Sequence, residues 1–128
     1  MINWQVEWSL IKEAAIHYGV NPYFIAAIRK TENGGPGREF GVLSVPAPTY
    51  ADQLRVCCVT VAHRMSLYRG TANDRVGKVS IMSREFVRWF AQLWAPAEVE
   101  NDPTNLNANW YTNCMAEQER FAANGEPG

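Results

Sequence analysis

Glu32 is the residue whose placement suggests chemistry. It stands at the expected end of a short apolar helix and is followed at once by the glycine-rich run Asn33-Gly34-Gly35-Pro36-Gly37. A carboxylate between a packed helix and a loop that lets another molecule approach is partly desolvated yet reachable, the setting in which a general acid works. Glu39 follows across that loop, which is rich enough in glycine to fold back and bring the second carboxylate opposite the first. The plainer account of Glu39 is a loop charge, paired with Arg38 or solvated. Asp52 is explained by a place in the first turn of a helix. Metal chemistry has little to stand on: His17 and His63 are the only histidines, and neither Cys-x-x-Cys nor His-Glu-x-x-His occurs. No metal or other cofactor is expected. Three cysteines, with Cys57 and Cys58 adjacent and Cys114 remote, make no full disulfide framework. Reduced thiols serving as small apolar side chains are expected, with a link from Cys57 or Cys58 to Cys114 left open.

The elements that must position Glu32 are helical. Trp4, Trp8, Ile11, Ala15 and Tyr18 recur at helical spacing and form one apolar stripe that stops at Gly19. Asn21 as N-cap and Pro22 at the first helical position open a second helix, with Phe24, Ile25, Ala27 and Ile28 inward and Glu32 at its end. From Gly34 to Pro48, glycines and prolines surround the run Phe40 to Val45, which predicts a loop, a cleft wall and at most a small hairpin near Phe40 to Ser44. Thr49 and Asp52 open a long third helix carrying Leu54, Cys58, Val61, Met65 and Tyr68. Thr71 to Ser80 is expected as a surface loop. Ser83 caps a helix with Phe86, Val87, Phe90, Leu93 and Trp94, which Pro96 ends. Asn101-Asp102-Pro103 marks a turn, and Trp110, Cys114, Gln118 and Phe121 stripe a last helix that stops near Gly125.

The expected fold is therefore mainly α, about five helices in one domain spanning residues 1–128, with no internal repeat or linker. At 128 residues and 47% hydrophobic content the chain is long enough for one core and short for two domains. Twelve Lys plus Arg against thirteen Asp plus Glu leave a net charge of -1, so no basic excess would draw it to nucleic acid or an anionic membrane. No stretch approaches the roughly 20 apolar residues that cross a bilayer, and the N-terminus shows no secretory pattern. Synthesis in the cytoplasm, no membrane insertion and a monomer are expected.

The run Ala14-Ala15-x-x-Tyr18-Gly19-Val20-Asn21-Pro22-x-x-Ile25-x-Ala27-Ile28-x-x-x-Glu32 resembles the opening of the lysozyme-like superfamily, particularly the lytic transglycosylases of the SLT type. There a helix ending in the catalytic Glu follows a Gly-Val-(Asp or Asn)-Pro entrance, and a Gly-Leu-Met-Gln element comes after; here Gly41-Val42-Leu43-Ser44 stands in that place. The later segment, Trp94-Ala95-Pro96 with Asn101-Asp102-Pro103-x-Asn105-Leu106-Asn107-x-Asn109-Trp110, is more similar to small phage or prophage lysozyme-like proteins. Only Ala14 to Ser44 maps motif to motif. Asn33 replaces the usual Ser, Ser44 replaces the Gln, the spacing to Gly41 is short, and the Ala-Tyr-Asn-Ala-Gly segment is missing.

The resemblance implies a lysozyme-like domain that cleaves peptidoglycan glycan strands, as lytic transglycosylase or muramidase, in the manner of an endolysin that reaches the cell wall after release or within a virion. Glu32 would protonate the departing oxygen. Glu39 would be the second carboxylate of a hydrolase, for which a separation of about 5 to 10 Å suits; a transglycosylase needs only one. Trp94, Tyr50, Trp89 and Trp110 are aromatic candidates for stacking on sugar faces, Trp94 preferred, although aromatics at helical spacing serve cores more often. Asn33, Ser44 and Asn101 are candidates for sugar hydroxyls, with turn and cap roles as the plainer account. Two other classes remain open: a lysozyme-like phage structural or binding protein without catalysis, and a DNA-binding helix-turn-helix over Ile11 to Ile28, whose second helix has cations only at its end.

Overall fold

The computed structural model describes residues 2–95 and 106–128, with the side chains of 106 and 107 excepted. Among the described residues the fold is mainly helical, with five α-helices and one two-stranded antiparallel sheet. Helix α1 runs Trp4–Tyr18, α2 Pro22–Glu32, α3 Tyr50–Leu67, α4 Arg84–Trp94 and α5 Trp110–Asn124, the last preceded by a single 3₁₀ turn, Leu106–Asn109. Strands β1, Asn73–Val76, and β2, Val79–Met82, lie between α3 and α4. No described helix is long and apolar enough to cross a membrane.

Helix α2 is the centre. Phe24 through Ile28 and the ion-paired Arg29 are all buried, so the middle of the helix is covered around its circumference by its neighbours. Its most extensive packing is on α5, whose Trp110, Cys114, Gln118 and Phe121 face inward as their spacing predicts. Helix α1 rests on α2 and α3 through the fully buried Ile11 and Ala15, with Trp4, Trp8 and Tyr18 half-buried along the same stripe. The helix boundaries follow their caps. Gly19 takes the left-handed conformation at φ 71°, and the Val20 amide closes onto the Ala15 carbonyl at 2.9 Å. The Asn21 side chain accepts from the amides of Tyr23 and Phe24, Thr49 from Asp52 and Ser83 from Phe86.

The hairpin corrects the sequence reading twice. Strand β1 and the start of β2 fall within Thr71 to Ser80, where a plain surface loop was expected, and Phe40 to Ser44 holds no strand. Val76 pairs with Val79 around Gly77-Lys78, and Gly77 at φ 60° occupies the first central position, where a two-residue II′ turn favours glycine. The polar, exposed first strand hid the pattern, since only the second carries buried apolar residues, Ile81 and Met82. The hairpin is anchored instead at its C-terminal end: buried Gln118 behaves as a strand partner, accepting from the Met82 amide at 2.8 Å and donating to its carbonyl at 3.1 Å. Phe40 and Val42 have no strand partner because their amides donate to the side chain of Gln53. The predicted turn at Asn101-Asp102-Pro103 lies outside the described residues.

Candidate active site around Glu32

Glu32 is the last residue of α2, and Asn33 ends the helix by turning left-handed at φ 47° while its amide still donates to Arg29 at 2.9 Å. The chain leaves through consecutive tight turns, Arg38 N to Gly35 O and Gly41 N to Arg38 O, which carry Gly41 back over the helix end. There the approach is close: a Cβ on Gly41 would lie 2.2 Å from Glu32 Oε1, and Gly41 has φ 72°. Glycine is required at this position on both counts.

The other carboxylate oxygen is held from the opposite direction. Trp110 Nε1 donates to Glu32 Oε2 at 2.8 Å and Trp94 Nε1 donates to the same atom at 3.2 Å. Trp94 stacks on Phe90 with ring centroids 5.3 Å apart, and Phe90 meets Trp110 at 6.0 Å, so the two indoles are braced by one buried phenylalanine. Burial lifts the Glu32 carboxyl above the usual carboxylate range, and the indole hydrogen bonds of Trp110 and then Trp94 oppose the shift without cancelling it. A carboxyl whose Oε2 accepts two N–H bonds carries its proton on Oε1, the oxygen facing Gly41. The neighbourhood is otherwise apolar: the thiols of Cys57 and Cys114 are fully buried, free, and raised by burial, with the Glu32 charge contributing.

A groove of about 260 Å³ is lined by two of the residues that touch this carboxyl, Gly41 and Trp94. Gly41, Val42, Leu43 and Ser44 form one wall, Val56 and Thr60 of α3 another, and Leu93 and Trp94 of α4 a third. Ser44 and Trp94 are thus brought to the groove, and Trp94 also touches Glu32.

Other sequence candidates go elsewhere. Glu39 does not stand opposite Glu32: the tight turns fold its carboxylate back onto the Gly37 amide at 3.1 Å, while its carbonyl accepts from Arg29 Nη1 at 3.2 Å. Tyr50 does not line this groove; it borders a separate cavity with Leu10, Ala14 and Leu54. Its hydroxyl donates to Glu7 Oε1 at 2.9 Å, its ring meets Phe40 at 5.6 Å, and burial together with the Glu7 charge pushes the phenol well up. It belongs to a buried ion pair in which Arg29 Nε and Glu7 Oε1 are 2.6 Å apart. Asn33 is exposed and faces Ile2, Trp4 and Lys30, away from the groove, so its role is the helix end. Trp89 packs on Tyr68 and Phe86. Asn101 lies outside the described residues.

Two residues with large effects on the site carried no motif. Trp110, expected only as a stacking or core aromatic, is the shorter hydrogen bond to Glu32. Gln53 on α3 is fully buried, accepts from the amides of Phe40 and Val42, and donates to the carbonyls of Gly37, Val42 and Ala47 at 2.9 to 3.0 Å. It therefore ties down the stretch that brings Gly41 to Glu32. Nothing in the sequence marked Gln53 as buried, and a buried amide is retained only when fully hydrogen-bonded. Among the described residues no three His, Cys, Asp or Glu side chains converge as a metal site needs. No family model, curated protein or solved structure matches the chain.

Proposed function

We propose that this protein has a lysozyme-like fold and cleaves the glycan strands of peptidoglycan, with Glu32 as the acid. The observation that carries the proposal is a single carboxyl, raised by burial, fixed on one oxygen by two indoles and set beside a groove. In the reaction the proton on Oε1 passes to the glycosidic oxygen as its bond to the anomeric carbon breaks, and positive charge develops on the sugar. The Glu32 carboxylate so formed is stabilised by the Trp110 and Trp94 N–H groups. The Glu39 carboxylate is taken up by the Gly37 amide, so the route that needs a single carboxyl, that of a transglycosylase, is preferred to the hydrolytic one. On that route the substrate's own C6 hydroxyl attacks the anomeric carbon and returns its proton to Glu32, closing an anhydro ring.

The burial of α2 counts against the helix-turn-helix reading. Arg29 is enclosed by Glu7, and residues 24–29 present no exposed face to enter a DNA groove. The test of the cleavage reading is Glu32→Gln, which keeps shape and an acceptor for the indoles but carries no transferable proton. Clearing of purified cell walls should fall at least about a hundredfold, with the thermal midpoint held or raised. Digests by the unaltered protein should contain fragments lighter by one water than hydrolytic products. Undiminished clearing by the variant would overturn the assignment, and absence of clearing by both proteins would favour a binding protein without catalysis.

A further inference from the structure

Arg29 stands in the last turn of α2, the turn that ends in Glu32, and its backbone carbonyl accepts the Asn33 amide that closes the helix. Its side chain acts on the loop that follows. Nη1 donates to the carbonyls of Gly34 and Glu39, both at 3.2 Å, so one nitrogen holds the two ends of the segment that turns back over the helix. Those ends are drawn so close that a Cβ on Gly34 would collide with the Arg38 carbonyl oxygen. Just beyond Glu39, Gly41 lies against the Glu32 carboxyl.

A guanidinium only 6% exposed is costly to bury, and this one is compensated from two further helices. Glu7 of α1 accepts from Nε at 2.6 Å and from Nη2 at 3.3 Å, which leaves Nη1 for the loop. The Tyr50 hydroxyl of α3 donates to the same Glu7 oxygen at 2.9 Å, and its ring packs on Phe40, between Glu39 and Gly41. Stability alone is a poor reason for such a network, because desolvation of both ions offsets their attraction and apolar side chains of like size often fill a core as well or better. Apolar side chains cannot bind two carbonyls at once.

We infer that Arg29 is a positioning residue for the Glu32 carboxyl: oriented by Glu7 and Tyr50, it clamps the segment from Gly34 to Glu39 so that Gly41 covers Oε1. The inference rests on Glu32 being the acid of the cleavage reaction proposed above. Burial and the two indoles account for the raised Glu32 carboxyl, so Arg29 reaches it by keeping water from Oε1 and not through its charge. The other titrating groups that face this carboxyl among the described residues are the thiols of Cys57 on α3 and Cys114 on α5, which burial keeps neutral.

The Nε1–H resonances of Trp94 and Trp110 report the Glu32 titration, because both donate to its Oε2. In the Glu32→Gln protein that response should vanish. Arg29→Lys retains a charge for Glu7, but one ammonium cannot span a carboxylate and two carbonyls, so the Glu32 midpoint should fall toward the ordinary 4.5 as water reaches Oε1. The alkaline limb of wall clearing should move down with it. Glu7→Met, Arg29→Met and Tyr50→Phe together replace the network by apolar side chains, a change that a purely structural ion pair tolerates. This triple variant should fold and show a midpoint lowered at least as far. An unmoved midpoint in either variant, whatever the loss of stability, would overturn the positioning role, and so would a triple variant that fails to fold, since the network would then be a requirement of the core. A lowered midpoint in a protein that clears no walls would instead refute the cleavage reading and leave the clamp standing.

Discussion

Glu32 is held between two opposing demands, and the residues on either side of it can be tuned separately. Trp110 lowers its pKa by stabilising the ionised form, while burial raises it more. Trp110→Phe keeps the ring in the core and deletes the 2.8 Å donor, so the acid form should persist to higher pH. The alkaline limb of the kcat/KM profile for wall cleavage should move upward, with the rate at the optimum kept within about tenfold. A limb that stays in place, or moves downward, would remove Trp110 from the tuning of the acid. Gly41→Ala acts on the other oxygen. Its Cβ would fall 2.2 Å from Oε1, 2.5 Å from Cδ and 2.9 Å from Cγ, so the Glu32 side chain must rotate away from its indole partners. The stability cost, about 1 kcal/mol from the positive φ, should therefore be smaller than the loss of activity, because the carboxyl leaves its place. Urea unfolding and wall clearing on the same preparation compare the two.

At the scale of elements, the loop beyond Glu32 depends on one side chain of α3. Gln53→Met keeps length and apolar fit but leaves the amides of Phe40 and Val42 and the carbonyls of Gly37 and Ala47 without their partner. Destabilisation of about 3 kcal/mol or more is expected by urea titration, with hydrogen exchange accelerated first at Phe40 and Val42. Protection that survives at those amides would show that the loop holds itself. The helices could be read from sequence because their signals are local: caps at Asn21, Thr49 and Ser83, stops at Gly19 and Gly125, and stripes at helical spacing. The hairpin escaped because its first strand is polar and exposed and its anchor, Gln118, comes 36 residues after Met82. Glu32 itself was legible from a helix end beside glycines, whereas its partners were not. The two indoles reach it from 62 and 78 residues away, and Glu39, close in sequence, turns aside. Local spacing carries helices; contacts across the fold decide which side chain becomes a neighbour.

For the whole molecule, a carboxyl kept above its ordinary range couples the proposed chemistry to global stability. Below the ordinary value of 4.5 the carboxyl is protonated in folded and unfolded chains alike, and burial carries no charge penalty. As pH rises above that value the unfolded chain ionises first, the folded chain binds more protons, and stability falls. The loss is complete once pH passes the raised value in the folded state, where the ion must sit against the apolar floor that includes Cys57 and Cys114. Glu32→Gln has no such ionisation, keeps an oxygen for Trp110 and Trp94, and shares every other titrating group with the unaltered protein. The difference in unfolding free energy between the two should thus be flat below about pH 4, the ordinary carboxylate range, grow in favour of the variant as pH rises, and level off. Urea midpoints taken from pH 3.5 to 8 measure it. Parallel curves would mean that Glu32 titrates as a solvated carboxylate, and the same result would deprive the groove of its acid. A crossing in the opposite sense, with the variant losing ground as pH rises, would show the ionised form stabilised by its indoles beyond the cost of burial, which suits an electrostatic role and not a proton donor.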